Sequence, residues 1–227
     1  MQVKNLGEIE AVAFDIDGTL YDQWRIHFYA LRHYIFHGVF FLHFGLTRHE
    51  MHGMAPQEDF KKVQAEKMAR RLNCSYESAL SKLDRIVYSG LKKYFVHMPC
   101  MKDVPETFKK FKEAGFKIAL LSDFPPEQKG DIWGVKQYCD AVLGTEALGA
   151  LKPDVHSFLK MAEILGVAPE KILYVGNSKK YDVVGSKKAG MKSAYLLPSW
   201  KRIFKMKDKD ADISFCNYRQ LQDIVLN

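Results

Sequence analysis

Asp15 and Asp17 stand two residues apart in the segment Asp15-Ile16-Asp17-Gly18-Thr19. Carboxylates this close repel unless a divalent cation, or a proton on one of them, relieves the repulsion. Such a pair can divide labour, one carboxylate attacking an electrophile while the other carries a proton for the leaving group. Gly18 allows a tight turn and leaves its backbone N–H open to an anionic group. Asp and Gly are also ordinary turn residues, so this segment alone reads equally as a strand-to-loop turn.

Three later segments add to it. Ser122-Asp123 places a hydroxyl and a fresh run of N–H groups past an apolar run; the plain alternative is an N-cap by Ser122, with Pro125 or Pro126 starting a helix. Lys152 precedes Pro153 at another helix start, where an ammonium is either a solvated charge or an offset for phosphate charge. Asn177 and Asp182 supply oxygen ligands suited to Mg²⁺. Four polar groups at four strand ends are hard to explain as four independent turns.

The elements that must position them follow from apolar patterning. Short buried strands are predicted at 9–14, 117–121, 141–143, 172–175 and 193–197, and helices at 104–114, closed by Gly115, and at 155–165. Strand–helix alternation predicts an α/β fold, a Rossmann-like parallel sheet with helices on both faces, in which the carboxyl ends of the strands face the ligand crevice. Residues 24–97 carry no strand-like run and read as helices broken near Gly38, Gly53–Pro56 and Asn73. This is too long for a crossover and is expected to be an inserted helical cap domain at 23–97, the core domain comprising 1–22 and 98–227. Only 30 residues separate Ser122 from Lys152, which leaves no room for a second large insertion. In the early cap, Arg25, His27, Arg32, His33, His37 and His43 either meet the substrate or form a solvated face. Phe36, Phe40, Phe41 and Phe44, at helical spacing, are expected in the cap's core, and Met51, Met54 and Met68 read as packing.

The chain of 227 residues is about one and a half typical domains. Lys and Arg number 34 against 27 Asp and Glu, a net charge of +7, which attracts anions without naming them. The four cysteines show no paired spacing, so reduced thiols are expected. The N-terminus is polar where an export signal would be apolar, and the greasiest stretch, 34–46, is short of the roughly 20 residues of a membrane span; a cytoplasmic protein with no membrane partner is expected. The basic tract 200–209, with Trp200 and Phe204 interleaved, matches no nucleic-acid-binding signature and reads as a solvated helix or loop, so no nucleic-acid partner is expected.

Taken in order, the motifs AVAFDIDGTLYD, IALLSDFP, LGALKPD and ILYVGNSKKYDVVGSKKAGM resemble the haloacid dehalogenase superfamily of phosphotransferases. The resemblance implies that Asp15 is the nucleophile and forms an aspartyl-phosphate, and that Asp17 protonates the leaving group and then activates water. It implies Mg²⁺ held by Asp15, the Asp17 carbonyl and Asp182, with Asn177 beside them. Ser122, Asp123 and Gly18 would line the phosphate site, and Lys152 would stabilise its charge. The dehalogenase branch lacks the second aspartate, so Asp17 favours phosphoryl transfer over C–Cl cleavage. Two positions depart from the pattern. Asn177 stands where an acidic residue is usual, removing one negative charge near the metal. Asp123 stands where Asn is common, a carboxylate that must face away or be paired, for instance by Lys179 or Lys180. Members with helical caps at this position act on small molecules. The function implied is a Mg²⁺-dependent phosphomonoester hydrolase for a small phosphorylated metabolite. The alternatives are a sugar-phosphate phosphomutase or a non-catalytic binder of anionic ligands or nucleic acid. Oligomeric state is left open.

Overall fold

Apolar residues run without interruption through the central strands, so the sheet they build must be covered on both faces. The computed structural model describes residues 2–3, 6–203 and 207–227. β1 (Gln2–Val3) and β2 (Gly7–Glu8) pair as a small antiparallel hairpin. β3 (Ala11–Phe14), β4 (Lys117–Ser122), β5 (Ala141–Gly144), β6 (Ile172–Gly176), β7 (Lys192–Leu196) and β8 (Ile213–Phe215) form one parallel sheet in the order β5-β4-β3-β6-β7-β8. In this register Phe14 lies between Leu120 and Val175, which brings the carboxyl ends of β3, β4 and β6 together.

Side chains of alternate residues divide between the two faces. Val12, Phe14, Ile118, Leu120, Leu173 and Val175 join one core cluster, covered by α7 (Val104–Glu113) and α11 (Tyr218–Leu226). The Phe14 ring stacks on Phe108 with centroids 4.4 Å apart. Ala11, Ala13, Ala119 and Leu121 join the opposite cluster, covered by α8 (Val155–Leu165) through Phe158, Met161 and Leu165. The alanines let that helix close on the sheet. α8 starts where the Asp154 carboxylate caps the His156 N–H and ends at Gly166 in the left-handed region. α9 (Val184–Lys188) and α10 (Ser199–Ile203) complete the elements on the sheet side.

Between β3 and β4 the chain is helical, as the missing strand pattern predicts. α1 (Gln23–Tyr29), α2 (Leu31–Phe36) and α3 (Gly38–Met51) run almost end to end, followed by α4 (Phe60–Leu72), α5 (Tyr76–Leu83), a π-helical turn at Asp84–Tyr88 and α6 (Ser89–Phe95). Asn73 ends α4 with φ of +47°, and Ser75 caps α5.

Several expectations need correction. The ladder of β3 begins at Ala11 rather than at residue 9. The hairpin and β8 escape periodicity because two or three residues carry no repeat to read. Pro126 opens a 3₁₀ turn, Pro126–Lys129, and Ser122 does not cap it. Phe40 and Phe44 are buried and Phe41 packs against the core, but Phe36 points outward and is 75% exposed. A bend at His37, with φ −116° and ψ 25°, takes Phe36 out of step with the three phenylalanines of α3. Phe204 lies outside the described residues, while Lys201 in the same tract pairs with Asp208. All four cysteines are free. Among the described residues, no helix is long and apolar enough to cross a membrane.

The helical insertion docks on the core through apolar contacts, among them Phe44 on Phe124 and Met51 and Phe60 on Leu151, and through polar ones at the sheet's carboxyl edge. The buried Arg48 guanidinium pairs with Glu146 and also donates to the Asp123 carbonyl at 2.7 Å. Tyr88 donates to Glu146 at 2.9 Å, and the Gln57 N–H donates to the Gly149 carbonyl at 2.9 Å. Removing one partner of a buried ion pair strands the other charge. Arg48→Ala is therefore expected to lower unfolding free energy by about 3–5 kcal/mol, whereas an Arg48→Met/Glu146→Leu double variant loses much less. Urea denaturation of the three proteins measures the difference.

Candidate active site

Asp15 follows β3 directly, and its backbone N–H still donates to Val175 on the neighbouring strand at 2.9 Å. Its side chain thus emerges at the centre of the sheet edge. One carboxylate oxygen lies 2.6 Å from the Lys152 ammonium and the other accepts from the Thr19 hydroxyl at 2.7 Å. Lys152, brought in by the loop before α8, also lies 2.8 Å from Asp182 and 3.3 Å from the Tyr174 hydroxyl. Asp182 is anchored through its second oxygen by the Ser178 N–H at 2.8 Å. Asp15, Lys152 and Asp182 are all buried. Burial alone would discharge the lysine, but the facing Asp15 and Asp182 carboxylates hold its proton affinity well above the ordinary value. Burial raises the Asp15 carboxyl against the pull of Lys152, and the Asp182 and Asp17 charges push the same way as burial.

Asp17 faces a second ammonium. Tyr21 donates to one of its oxygens at 2.6 Å, while Ser122 at 2.7 Å and Lys129 at 3.0 Å share the other. Burial opposes ionisation here, yet Lys129 and the two hydroxyl donors outweigh it and hold the carboxyl below its ordinary value. Ser122 is fully buried, accepts from the Phe124 N–H at 3.1 Å and spends its proton on Asp17. Gly18 has φ of +88°, and a Cβ there would lie 2.3 Å from the Asn177 amide nitrogen. The turn needs glycine for the left-handed backbone and for this close approach. The Asn177 amide oxygen lies 3.2 Å from the same Thr19 hydroxyl, whose proton goes to the nearer Asp15.

Asp123 is paired, though by neither lysine anticipated for it. Its carboxylate accepts from Thr145 at 2.8 Å and from the Lys152 N–H at 3.0 Å, with His52 at 3.9 Å. Lys179 instead pairs with Asp208 and Asp210. The extra carboxylate thus holds the lysine-bearing loop in place.

Of these groups, Asp15, Asp17, His52, Asp123, Lys152, Asn177 and Asp182 line a cavity of about 600 Å³, whereas Gly18 and Ser122 stand behind its lining. Its floor carries Asp15, Asp17, Lys152, Asn177 and Asp182, and α1 and α3 of the insertion contribute Gln23, Phe44 and Arg48, followed by His52 just past α3. None of Arg25, His27, Arg32, His33, His37 or His43 lines it; His33 bonds the Ile86 carbonyl at 2.8 Å and Arg25 pairs with Asp22. The face of α3 that reaches the cavity lies later in the chain than all six of those residues. Phe44, Arg48 and His52 follow an i, i+4, i+8 spacing that would have marked the face. His52 donates from Nδ1 to the Lys152 carbonyl at 2.6 Å and stacks on Tyr181, centroids 4.5 Å apart. This leaves Nε2 without the proton in the neutral ring, and burial lowers the ring's proton affinity. Lys129, Thr19 and Tyr174 are further site residues that sequence reasoning missed. Thr19 and Tyr174 sat inside the quoted first and fourth motifs, whereas nothing local marked Lys129.

The donor set suits a hard divalent cation. Asp15, Asp17 and Asp182 carry three carboxylates against the two ammoniums of Lys152 and Lys129, which leaves excess negative charge in a buried space. Among the described residues there is no group of three acidic, His or Cys side chains arranged as a cage. The fit is to a hard divalent ion that keeps waters and substrate oxygens alongside one or two carboxylates.

Comparison with known proteins agrees with this geometry. The sequence profile of the haloacid dehalogenase-like hydrolases matches residues 12–196. A glyceraldehyde 3-phosphate phosphatase from Methanopyrus kandleri is 29% identical over 193 residues, covering 81% of this chain and 82% of that protein. A phosphoglycolate phosphatase from Aquifex aeolicus is 37% identical over 98 residues, 42% of this chain and 46% of that protein. The L-2-haloacid dehalogenase of Xanthobacter autotrophicus shares the fold, with a TM-score of 0.66 at 22% identity over 95% of this chain and 98% of that one. With motifs, fold and profile in agreement over most of its length, the chain belongs to the haloacid dehalogenase-like hydrolase family.

Proposed function

We propose that this hydrolase is a Mg²⁺-dependent phosphatase for a small phosphorylated metabolite, working through an aspartyl-phosphate, with residues 23–97 as its cap domain. The observation that carries this reading is the buried Asp15–Lys152–Asp182 cluster at the floor of a cavity roofed by the insertion. The dehalogenase shares the fold, so the fold alone does not choose the reaction. Asp17 and the phosphatase names of the curated relatives favour phosphoryl transfer.

Lys152 and Thr19 fix the Asp15 carboxylate between them, so it meets a bound phosphate in one orientation. An Asp15 oxygen forms a bond to phosphorus as the ester P–O bond breaks, and the departing oxygen takes a proton from Asp17. In the free protein Asp17 is ionised beside Lys129; a dianionic phosphate arriving next to it raises its proton affinity. Water then adds to phosphorus, giving its proton to Asp17 and releasing Asp15 and inorganic phosphate. Asp15, Asp182, Asn177 and the Asp17 carbonyl would hold Mg²⁺, which when bound neutralises charge on the phosphoryl oxygens. Lys152 stabilises the same charge from the other side.

A cavity of about 600 Å³ is large enough for a small metabolite together with its phosphate. Arg48 spends both terminal nitrogens on Glu146 and Asp123, which leaves Gln23 and His52 as the polar groups of the insertion that line the cavity and can meet the substrate's organic part.

A panel of small phosphomonoesters with Mg²⁺ is expected to release inorganic phosphate, and Asp15→Asn to reduce release to the blank. Unchanged release by Asp15→Asn would sink the covalent route. Chelation with EDTA is expected to stop turnover and excess Mg²⁺ to restore it, read by the same phosphate assay. His52→Ala is expected to raise KM about tenfold, the worth of one hydrogen bond, with a smaller effect on kcat. Steady-state kinetics on the best substrate of the panel separates the two constants.

A further inference from the structure

The helical run from α1 to α3 has two contrasting faces. Backbone bonds Ala30 to Ile26, Tyr34 to Ala30, His37 to His33 and Phe41 to His37 carry it through both junctions as one bent helix. Ile26, Ala30, Phe40, Phe44, Arg48 and Met51 turn inward, toward the core and the cavity. The outer face carries Trp24, Phe28, Leu31, Ile35, Val39, Leu42 and Leu46, all exposed, with Phe28, Ile35 and Val39 each about 70% so. Steps of three and four residues line these seven up as a single stripe, the spacing that packs one helix against another. Tyr29 and Phe36 lie exposed at its border.

We propose that this stripe is the surface through which two copies of the chain associate as a two-fold dimer. With an aromatic side chain contributing 150–250 Å² when fully exposed, these nine residues present on the order of 900 Å² of apolar surface. That exceeds the roughly 300–600 Å² of the largest patch on a typical monomer. It matches the roughly 800 Å² that each partner contributes to a stable interface. The composition fits as well. From residue 23 to 46 there is no Lys, Asp or Glu, while aromatics and the two arginines Arg25 and Arg32 are present. Interface centres are depleted in the former and enriched in the latter. An anionic lipid surface would call for clustered cations around the stripe. Within residues 23–46 the only Lys or Arg side chains are Arg32 and Arg25, and Arg25 is paired with Asp22. A two-fold axis makes the stripe its own complement. The same helix carries Phe44 and Arg48 to the cavity, so pairing would brace the cap's outer wall directly behind the site.

Sedimentation velocity of the full chain, diluted from tens of micromolar, is expected to show a species of twice the 26.1 kDa chain mass. Ile35→Arg/Leu42→Arg should sediment as a monomer with an unchanged far-UV spectrum, since both side chains are solvent-exposed in the single chain. Hydrogen exchange of the native protein supplies a second measure that needs no variant: protection of α1 and α2 should rise with concentration. A native protein that stays monomeric, with exchange independent of concentration, overturns the proposal. So does a dimer that survives the double substitution. Co-sedimentation of monomers with phosphatidylserine vesicles would assign the stripe to lipid and equally overturn it.

Discussion

A single buried ammonium organises the carboxyl edge of the sheet. Lys152 sits between Asp15 and Asp182 with almost no solvent around it. Two carboxylates in that space would not both stay ionised without it, and the lysine would not stay charged without them. The Asp123 carboxylate holds the Lys152 backbone, and Tyr174 and Leu121 offer their oxygens to its ammonium. The geometry thus depends on five segments of chain meeting at one cation. Replacing that cation's partners one at a time would not leave the others where they are.

Asp17 sits in a parallel arrangement with Lys129, Ser122 and Tyr21. The two aspartates therefore differ in environment although they are neighbours in sequence. Asp15 shares its lysine with another carboxylate, whereas Asp17 has an ammonium and two hydroxyls almost to itself. That asymmetry separates their proton affinities and suits them to different tasks. The insertion completes the enclosure: Arg48, Gln57 and His52 reach backbone carbonyls or acid groups at the sheet edge, while Phe44 packs on Phe124, Phe95 on Tyr21, and Met51 and Phe60 on Leu151.

Much of this could be read from the chain. The apolar runs of β3, β4 and β6 are short, buried and separated by helical stretches, so the sheet and its direction followed from pattern. Asp15, Lys152 and Asp182 were visible because each stands beside a break in such a pattern. Phe36 was misread because helical spacing assumes a straight helix, and the bend at His37 redirects one residue of four. Arg48 and His52 were overlooked because earlier basic residues of the same helix looked equally suitable. Which of several cations on a helix reaches a cavity depends on how that helix lies against the rest of the protein.

Spacing along the chain determined the sheet, the helical interruption and the chemical types gathered at the strand ends, since strand period, helix period and turn chemistry are local properties. Tertiary structure decided the pairings. It placed Asp123 on Thr145 and the Lys152 N–H instead of on Lys179 or Lys180, and turned Ser122 toward Asp17. It also brought in Lys129 and His52, which no motif had marked. Ion pairs act over a few ångströms in space and are indifferent to separation in sequence. Contacts such as Lys152 with Asp15, 137 residues apart, are fixed only when the sheet has assembled.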